Sequence, residues 1–445
     1  MEIKNQATRI KLFSFSTPQM RAFHLTWFAF FLCFFGWFGI APLMAVVRED
    51  LGLTKTQIGD TIIASVAITI LFRLIVGRLC DRFGPRLTYT WLLILGSFPV
   101  MGIGFSRNYE TFLLFRLAIG TIGASFVITQ YHTSIMFAPN IVGTANATTA
   151  GWGNLGGGVT QIVMPLIFAF MISLGANQLL GWRLAMIAPG VILFLTGIAY
   201  YYLTQDAPDG NFNELRKRGE LPPVTDKEEG SFFLAAKDVR VWALFVIYAA
   251  CFGVELTINN VAALYFFDRF ELGLGAAGLI ASLFGLMNIF ARTLGGVFSD
   301  KFAKGYGLSG RVKLLLCVLL LESIALIVFS QMSVLILAVI SMVIFSLFVQ
   351  MAEGATFGVV PFINKKALGS VAGIVGAGGN AGAVAAGFLF RSEGLTTQEA
   401  LMYLGIFVLI ASSFAFLVRF SPEVQALEAK AFEEAQSDKT ALLGS

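Results

Sequence analysis

Charged residues are scarce in this sequence of 445 residues: Asp, Glu, Lys and Arg together make up 13% of it, about half of their share in a typical soluble protein. Cysteine is also rare, and the four that occur, Cys33, Cys80, Cys251 and Cys317, have neither a pairing pattern nor a metal-ligand spacing. The sequence contains no nucleophile–base set and no cofactor loop. These shortages exclude a soluble globular protein and a disulfide framework, and we expect neither enzymatic activity nor a bound cofactor or metal.

Hydrophobic residues are abundant instead, at 57% of the chain with 44 Phe. They form runs long enough to cross a bilayer as helices, so we predict an all-α polytopic membrane protein with twelve transmembrane helices. The predicted spans are 25–47, 57–78, 88–106, 111–138, 142–174, 184–203, 240–267, 275–299, 312–331, 333–358, 368–390 and 400–420. A polar stretch at 204–239 predicts a linker between an N-terminal six-helix bundle at 25–203 and a C-terminal six-helix bundle at 240–420.

Lys and Arg residues are unevenly divided between the two sets of loops. The terminal segments 1–24 and 421–445, the linker and alternate loops hold most of them. Because loops rich in Lys and Arg face the cytoplasm, we predict that both termini and the linker are cytoplasmic. The apolar run after residue 24 is too long for a signal peptide, so we expect a multi-pass protein of the inner or plasma membrane without a cleaved leader.

An internal repeat relates the two predicted bundles. Arg73 and Arg292 lie deep in spans 2 and 8 at equivalent positions. Their offset of 219 positions also separates three further pairs of identical residues, Gly77 with Gly296, Asp81 with Asp300 and Phe83 with Phe302. Two parallel six-helix repeats with a binding site between them are typical of secondary transporters.

The segment Gly77-Arg-Leu-Cys-Asp-Arg-Phe-Gly-Pro-Arg86 resembles the cytoplasmic loop motif of the major facilitator superfamily, and Gly296–Lys301 resembles its weaker second copy. The resemblance implies the fold of that superfamily, with two pseudo-symmetric six-helix bundles that expose a central site to each side in turn. For Asp81 and Arg82 it implies a latching role between the cytoplasmic ends of helices, rather than contact with a substrate.

Spans 5 and 11 share the pattern Gly-Asn-x-Gly, at Gly153–Gly156 and Gly379–Gly382. Small residues let neighbouring helices approach closely, so Gly153, Gly156, Gly157, Gly379 and Gly382 are expected to pack or bend the helices. Asn154 and Asn380 can then face a central cavity. Together with Phe252–Asn260 and Gly354–Phe362, these motifs resemble the nitrate/nitrite porter family over residues 25–420. The resemblance implies a transporter of nitrate and nitrite.

Arg73 and Arg292 are the strongest candidates for anion ligands. A guanidinium in the bilayer interior costs about 3 kcal/mol or more and persists only where it faces protein or water. Its planar fork can donate two parallel hydrogen bonds to a planar oxyanion. The resemblance implies that the two arginines clamp the anion from opposite bundles. The alternative is two structural arginines bound to carbonyls or helix ends.

Aromatic side chains supply further candidate ligands. Tyr248 and Phe252 lie one turn apart on span 7, and the Tyr248 hydroxyl can donate to an oxyanion. The resemblance implies that Phe38 and Phe126, in spans 1 and 4, lie against the faces of the anion. For each of these rings simple packing remains the alternative.

The titratable groups predicted within spans include Glu255 and Glu353, which are our candidates for proton coupling, and also Glu322 and His132. Arg116 begins a segment that resembles another superfamily motif, and we expect it to be structural and to lie at the edge of an external loop. The only partners that we expect are the anion, protons and the bilayer, with no nucleic acid, and we expect a monomer.

Coupling is constrained by voltage, because an inside-negative potential of 100 mV opposes influx of one anion by about 2.3 kcal/mol. Electroneutral exchange with internal nitrite moves no net charge and avoids this barrier. Symport with two protons moves one net positive charge inward, so the same potential then favours influx. Repulsion between two arginines in the empty site favours exchange, whereas the carboxylates of spans 7 and 10 favour symport. We expect nitrate uptake with protons, and a nitrate/nitrite exchanger is the alternative. An organic-anion or phosphate-ester exchanger and a nitrate sensor are less favoured, since the spans hold no deep lysine and the tail is short.

Overall fold

The computed structural model describes residues 5–138, 141–220, 229–364 and 368–426. Within these ranges, eleven helical segments are long and apolar enough to cross a membrane. One of them, Leu274–Ser330, has 57 residues, and at 1.5 Å per residue it would be about 85 Å long, far more than the bilayer core of about 30 Å. It is broken at Gly307, where φ is 61°, and therefore contains two spans, which gives twelve in all.

The twelve spans follow the predicted order, and several are built from two helices. They are Pro18–Phe38 with Met44–Leu51 (span 1), Lys55–Phe83 (span 2), Pro85–Gly102 (span 3), Tyr109–Gly120 with Ser125–Met136 (span 4), Val142–Ser173 (span 5), Gln178–Ala185 with Ile187–Leu203 (span 6), Val239–Phe270 (span 7), Leu274–Leu286 with the first part of Ala291–Ser330 (span 8), the rest of Ala291–Ser330 (span 9), Leu335–Val359 (span 10), Leu368–Arg391 (span 11) and Thr397–Ser412 (span 12).

Polar capping residues explain why several helices extend beyond their apolar runs. Thr54 and Gln57 form a reciprocal capping box at the start of span 2, and Thr396 and Glu399 form another before span 12. Such caps satisfy backbone N–H groups that hydropathy alone does not consider. The predicted linker also contains two helices, Phe212–Lys217 and Glu229–Ala236.

The repeated glycines bring one helix pair of each bundle into close contact. A Cβ at Gly153 would lie 1.8 Å from the Phe30 ring, and one at Gly379 would lie 2.3 Å from the Phe252 ring. The second glycine of each pattern meets backbone, at 2.0 Å from the Phe31 carbonyl oxygen for Gly156 and 2.3 Å from the Ala249 carbonyl oxygen for Gly382. Span 5 thus packs on span 1 as span 11 packs on span 7.

The two bundles meet through spans 2 and 11, spans 5 and 8, and spans 1 and 7. Towards the side opposite the chain termini, Arg48 and Asp268 form an ion pair at 2.7 Å, and Asp60 and Arg391 form another at 2.5 Å. Hydrogen bonds between the bundles continue inward from these pairs to the level of Arg73. The two halves are therefore fastened together on the side opposite the termini.

Candidate anion-binding site

Arg73 reaches across the interface from span 2. Its Nη1 donates a hydrogen bond of 3.2 Å to the carbonyl oxygen of Gly376 in span 11, and its Cζ lies 5.5 Å from the centre of the Phe126 ring. Nε and Nη2 are buried and have no hydrogen-bond partner. The guanidinium thus keeps two donors for a ligand.

Arg292, its counterpart in the C-terminal bundle, is already paired. Nη2 donates to the Tyr248 hydroxyl at 2.9 Å, and Nη1 lies 2.7 Å from Oε2 of Glu353. This second contact is an ion pair by distance, although its alignment is not that of a hydrogen bond. The Glu353 side chain is 0% exposed and that of Arg292 is 10% exposed. The two arginines therefore differ, since only Arg292 has a carboxylate to compensate its charge.

The two asparagines of the repeated pattern are buried without partners. Asn154 is 1% exposed and Asn380 is 0% exposed, and neither the nitrogen nor the oxygen of either amide has a hydrogen-bond partner. An unsatisfied buried polar group costs about 1–3 kcal/mol, so such groups in native proteins usually serve a ligand or ordered water. Gly376, one turn before Asn380, is the residue whose carbonyl binds Arg73.

Aromatic rings surround the arginines. Tyr248 and Phe252 are stacked at 5.2 Å with an interplanar angle of 13°, and Cζ of Arg292 lies 6.0 Å from the Phe252 ring. Phe126 contacts Arg73 and also Phe30, at 5.8 Å. Each arginine thus has one aromatic ring beside it, Phe126 for Arg73 and Phe252 for Arg292.

Phe38, which the family resemblance placed against the anion, packs instead in a cluster further along span 1. Its ring contacts are with Phe34 at 5.6 Å and Trp37 at 5.2 Å. The ring from span 1 that meets Phe126 is Phe30. Sequence reasoning missed Phe30 because span 1 offers several phenylalanines at helical spacing, and only the close approach of Gly153 selects among them.

The two candidate proton carriers lie together beside Arg292. Nδ2 of Asn288 donates to Oε1 of Glu255 at 2.7 Å, whereas Oε2 of Glu255 and both carboxyl oxygens of Glu353 are buried without a hydrogen-bond partner among the described residues. Asn288, which sequence reasoning did not single out, lies about one turn before Arg292 and on the same side of span 8.

The loop motif ties spans 2 and 3 to the linker. The side chain of Asp81 lies outside the described residues. Arg82 is exposed, and its carbonyl oxygen accepts a 2.6 Å hydrogen bond from Nη1 of Arg216. Gly84 has a φ of 89°, and the buried Asp206 carboxylate lies against it, where it accepts from the backbone N–H of Arg86 at 2.8 Å. In the second copy Asp300 pairs with Arg311 at 2.7 Å.

Arg116 is buried deeper than the sequence indicated, and His132 is buried within span 4, the span in which it was predicted. The edge-of-loop placement of Arg116 is wrong, since it is 1% exposed. His132 lies between the Tyr200 hydroxyl and the Gln205 carbonyl oxygen, at 2.5 and 2.9 Å, which is a structural role. Among the described residues, no group of three His, Cys, Asp or Glu side chains is arranged to hold a metal ion.

Comparison with known proteins places this geometry in a family. The family model described as Major Facilitator Superfamily matches residues 26–361. The chain is 41% identical over 425 residues to "High affinity nitrate transporter 2.5" of Arabidopsis thaliana, covering 95% of this chain and 84% of that protein. It is 31% identical over 447 residues to "Nitrate/nitrite transporter NrtP" of Picosynechococcus, covering 81% of this chain and 83% of that protein.

Among solved structures, the chain is similar to an inward-facing bacterial homologue of the human lysosomal transporter Spinster, with a TM-score of 0.71 at 17% identity over 92% of this chain and 99% of that one. A second similar structure is the partially occluded, inward-open xylose transporter XylE from E. coli, with a TM-score of 0.68 at 14% identity over 91% and 100% of the two chains. These likenesses establish the fold of twelve helices in two six-helix bundles. The chain is therefore a membrane transporter that belongs to the major facilitator superfamily and, within it, to the nitrate/nitrite porter family.

Proposed function

We propose that this protein takes up nitrate, and nitrite, across the inner or plasma membrane by alternating access and together with protons. The similar proteins from Arabidopsis thaliana and Picosynechococcus are named as nitrate and nitrate/nitrite transporters. The observation that carries the proposal is the pair of buried arginines, one from each bundle, each with an aromatic ring beside it, together with two buried amides that have no partner among the described residues.

Nitrate matches the donors that this site offers. It is planar and singly charged, with three equivalent oxygens, so a guanidinium can donate two parallel hydrogen bonds to one of its edges. Arg73 has two buried donors available, and Arg292 with the Tyr248 hydroxyl supplies donors from the other bundle. Phe126 and Phe252 lie beside the two guanidinium groups and offer flat faces to a planar ligand. Nitrite offers a similar edge and would bind the same donors.

The position of Glu353 supports coupling to protons, because its carboxylate forms an ion pair with Arg292, the residue that the anion must bind. Nitrate must compete with the Glu353 carboxylate for Nη1 of Arg292. Protonation of Glu353 removes its charge and frees Arg292, so a proton and an anion bind more favourably together than separately. One proton per nitrate gives an electroneutral cycle. A second proton, taken by the neighbouring Glu255, makes the influx electrically favourable by about 2.3 kcal/mol per 100 mV.

Exchange with internal nitrite is the second candidate, and Arg73 favours it. In the empty site this guanidinium has a carbonyl and a ring as neighbours, and none of the described carboxylates forms an ion pair with it. A buried cation without compensation is unfavourable, so an empty carrier would change conformation less readily than a loaded one. The argument for exchange is weakened by Glu353, because its negative charge compensates that of Arg292. The two arginines therefore repel each other less than two unpaired cations would.

In the predicted orientation, the side on which the ion pairs join the two bundles is external, and the side of the termini is cytoplasmic. The ion pairs Arg48–Asp268 and Asp60–Arg391 would then close the external path, which corresponds to an inward-facing conformation. Because both arginines of the site come from one chain, we expect a functional monomer.

Nitrate uptake into liposomes that contain the purified protein tests this proposal. The vesicles are empty, loaded with nitrite, or alkaline inside with an imposed potential. We expect accumulation driven by protons and potential without internal nitrite. Uptake only into nitrite-loaded vesicles, indifferent to potential, would establish the exchanger instead. Absence of nitrate flux in all three conditions would refute the substrate assignment.

A further inference from the structure

A third arginine lies at the interface between the bundles, outside the central site. Nη1 of Arg116 in span 4 donates to the Trp37 carbonyl oxygen at 3.1 Å, and Nη2 contacts Ser65 Oγ at 3.2 Å and Asn260 Oδ1 at 3.0 Å. The side chain is 1% exposed, and its Nε is buried without a partner. Its polar partners among the described residues are a carbonyl, a hydroxyl and an amide, and none of them is a carboxylate.

The position of Arg116 along the pathway follows from Ser65. Ser65 and Arg73 are both on span 2, eight residues apart, which is about 12 Å along a helix. The displacement is towards the side where Arg48–Asp268 and Asp60–Arg391 join the bundles. Arg116 therefore lies between the central site and the side that we assign as external.

The partner that covers Arg116 belongs to the other bundle. Asn260 is in span 7, and the preceding residue, Asn259, accepts a hydrogen bond from Nε2 of Gln161 in span 5 at 2.9 Å. These two bonds form a polar layer across the interface, and both must break when the bundles part. Arg116 then loses Asn260, its polar partner from the C-terminal bundle among the described residues, and retains two contacts within its own bundle.

A structural brace would not need a cation here, since a neutral donor could bind the Asn260 oxygen equally well. A buried guanidinium without a counter-ion is retained in membrane proteins chiefly where it serves an ion pathway. Two of its three polar contacts are within the N-terminal bundle, so the guanidinium stays in place when Asn260 moves away.

We infer that Arg116 is a second binding station for a monovalent oxyanion, uncovered on the external side when Asn260 withdraws with the C-terminal bundle. The inference rests on the proposed uptake of nitrate. External nitrate meets Arg116 first and passes to Arg73, while the closing of the Arg116–Asn260 bond displaces the anion from the station. Nitrate that approaches from the cytoplasmic side reaches the central site without meeting Arg116.

The test compares the two faces of the membrane. Nitrate uptake is measured in right-side-out and in inside-out membrane vesicles from cells that produce the wild type, Arg116→Gln or Arg116→Lys. Loss of a charged hydrogen-bond partner typically weakens binding about tenfold or more. We expect Arg116→Gln to raise the external KM for nitrate by about this factor and to leave the cytoplasmic KM within about twofold, and Arg116→Lys to retain most of the external affinity.

Asn260→Asp provides an independent arm, because it leaves Arg116 in place and adds a carboxylate that neutralises it. We expect the external KM to rise as in Arg116→Gln. Arg107→Gln is the matched control, since Arg107 is exposed on the loop between spans 3 and 4 and its replacement should change neither KM. Equal changes on both faces, or a lower maximal rate with unchanged external KM, would show that Arg116 is a brace. A wild type without nitrate flux would instead refute the proposed function.

Discussion

The ion pair between Arg292 and Glu353 gives the sharpest prediction for the coupling mechanism. In Glu353→Gln the side chain keeps its shape and loses its charge, so the arginine nitrogen that lies 2.7 Å from Oε2 of Glu353 becomes free for the anion. A hydrogen bond to a charged group contributes about 1.5–3 kcal/mol. Since 1.4 kcal/mol corresponds to a factor of ten, nitrate should bind this variant roughly 10- to 100-fold more tightly at alkaline pH.

The same change should destabilise the empty protein. Removal of one partner from a buried ion pair typically costs about 3–5 kcal/mol, because the remaining charge is left uncompensated. The Tyr248 hydroxyl, which accepts a hydrogen bond from Arg292, is uncharged and does not replace the charge of the carboxylate. We therefore expect a lower melting temperature without nitrate, and a larger nitrate-induced increase than in the wild type.

The assay is nitrate binding by the purified protein, followed by thermal shift at acidic and at alkaline pH. Wild-type affinity should fall as the pH rises, since the Glu353 carboxylate regains its charge and competes for Arg292. Glu353→Gln should bind equally well at both values. Glu322→Gln is the control, because Glu322 is also 0% exposed but has no ion-pair or hydrogen-bond partner. A Glu353→Gln variant that keeps the wild-type pH dependence, or that binds nitrate more weakly at alkaline pH, would refute the competition argument.

Three further predictions follow from the same geometry. Arg73→Lys should abolish most nitrate transport in liposomes although the charge remains, because an ammonium lacks the planar fork; normal transport would exclude a bidentate contact. Glu255→Gln should abolish proton-driven accumulation but spare nitrate/nitrite exchange, and loss of both activities would instead indicate a role in binding or folding. Gly156→Ala should destabilise the protein in detergent by about 1–3 kcal/mol, since its Cβ would lie 2.0 Å from the Phe31 carbonyl oxygen, whereas Gly296→Ala meets nothing within 4 Å and should be neutral.

Periodicity, the repeat and the loop motif were sufficient to predict the fold. The span order was correct because long apolar runs have few alternatives to helices in a bilayer. The differences concern helix ends, where caps such as Thr54 extend a helix into polar sequence. The predicted linker also contains two short helices that the sequence pattern did not indicate.

The site was less accessible to sequence reasoning, because it depends on contacts between residues far apart in the chain. Arg73 and Arg292 stand out by their symmetry, yet nothing in the sequence shows that only Arg292 has a carboxylate partner. That partner is 61 positions away on another helix. Arg116 lies near a polar loop in the sequence, and its burial follows from the packing of spans 1, 2 and 7 around it.

Under the proposed function, this difference between the arginines would make the two repeats unequal. In the N-terminal bundle Arg73 has two donor nitrogens without a partner among the described residues. In the C-terminal bundle Arg292 is paired with Glu353, so its availability would depend on protonation of that carboxylate. The N-terminal half would then recognise the anion, and the C-terminal half would bind it only when a proton is present.

The two linker helices are docked on different halves of the protein. Phe212 and Leu215 are buried against Ile135 of span 4, and Glu229–Ala236 packs on spans 7 and 11. Each bundle therefore carries one helix of the linker as part of its own surface. A protease site inserted between these two helices would leave each helix attached to its own half after cleavage.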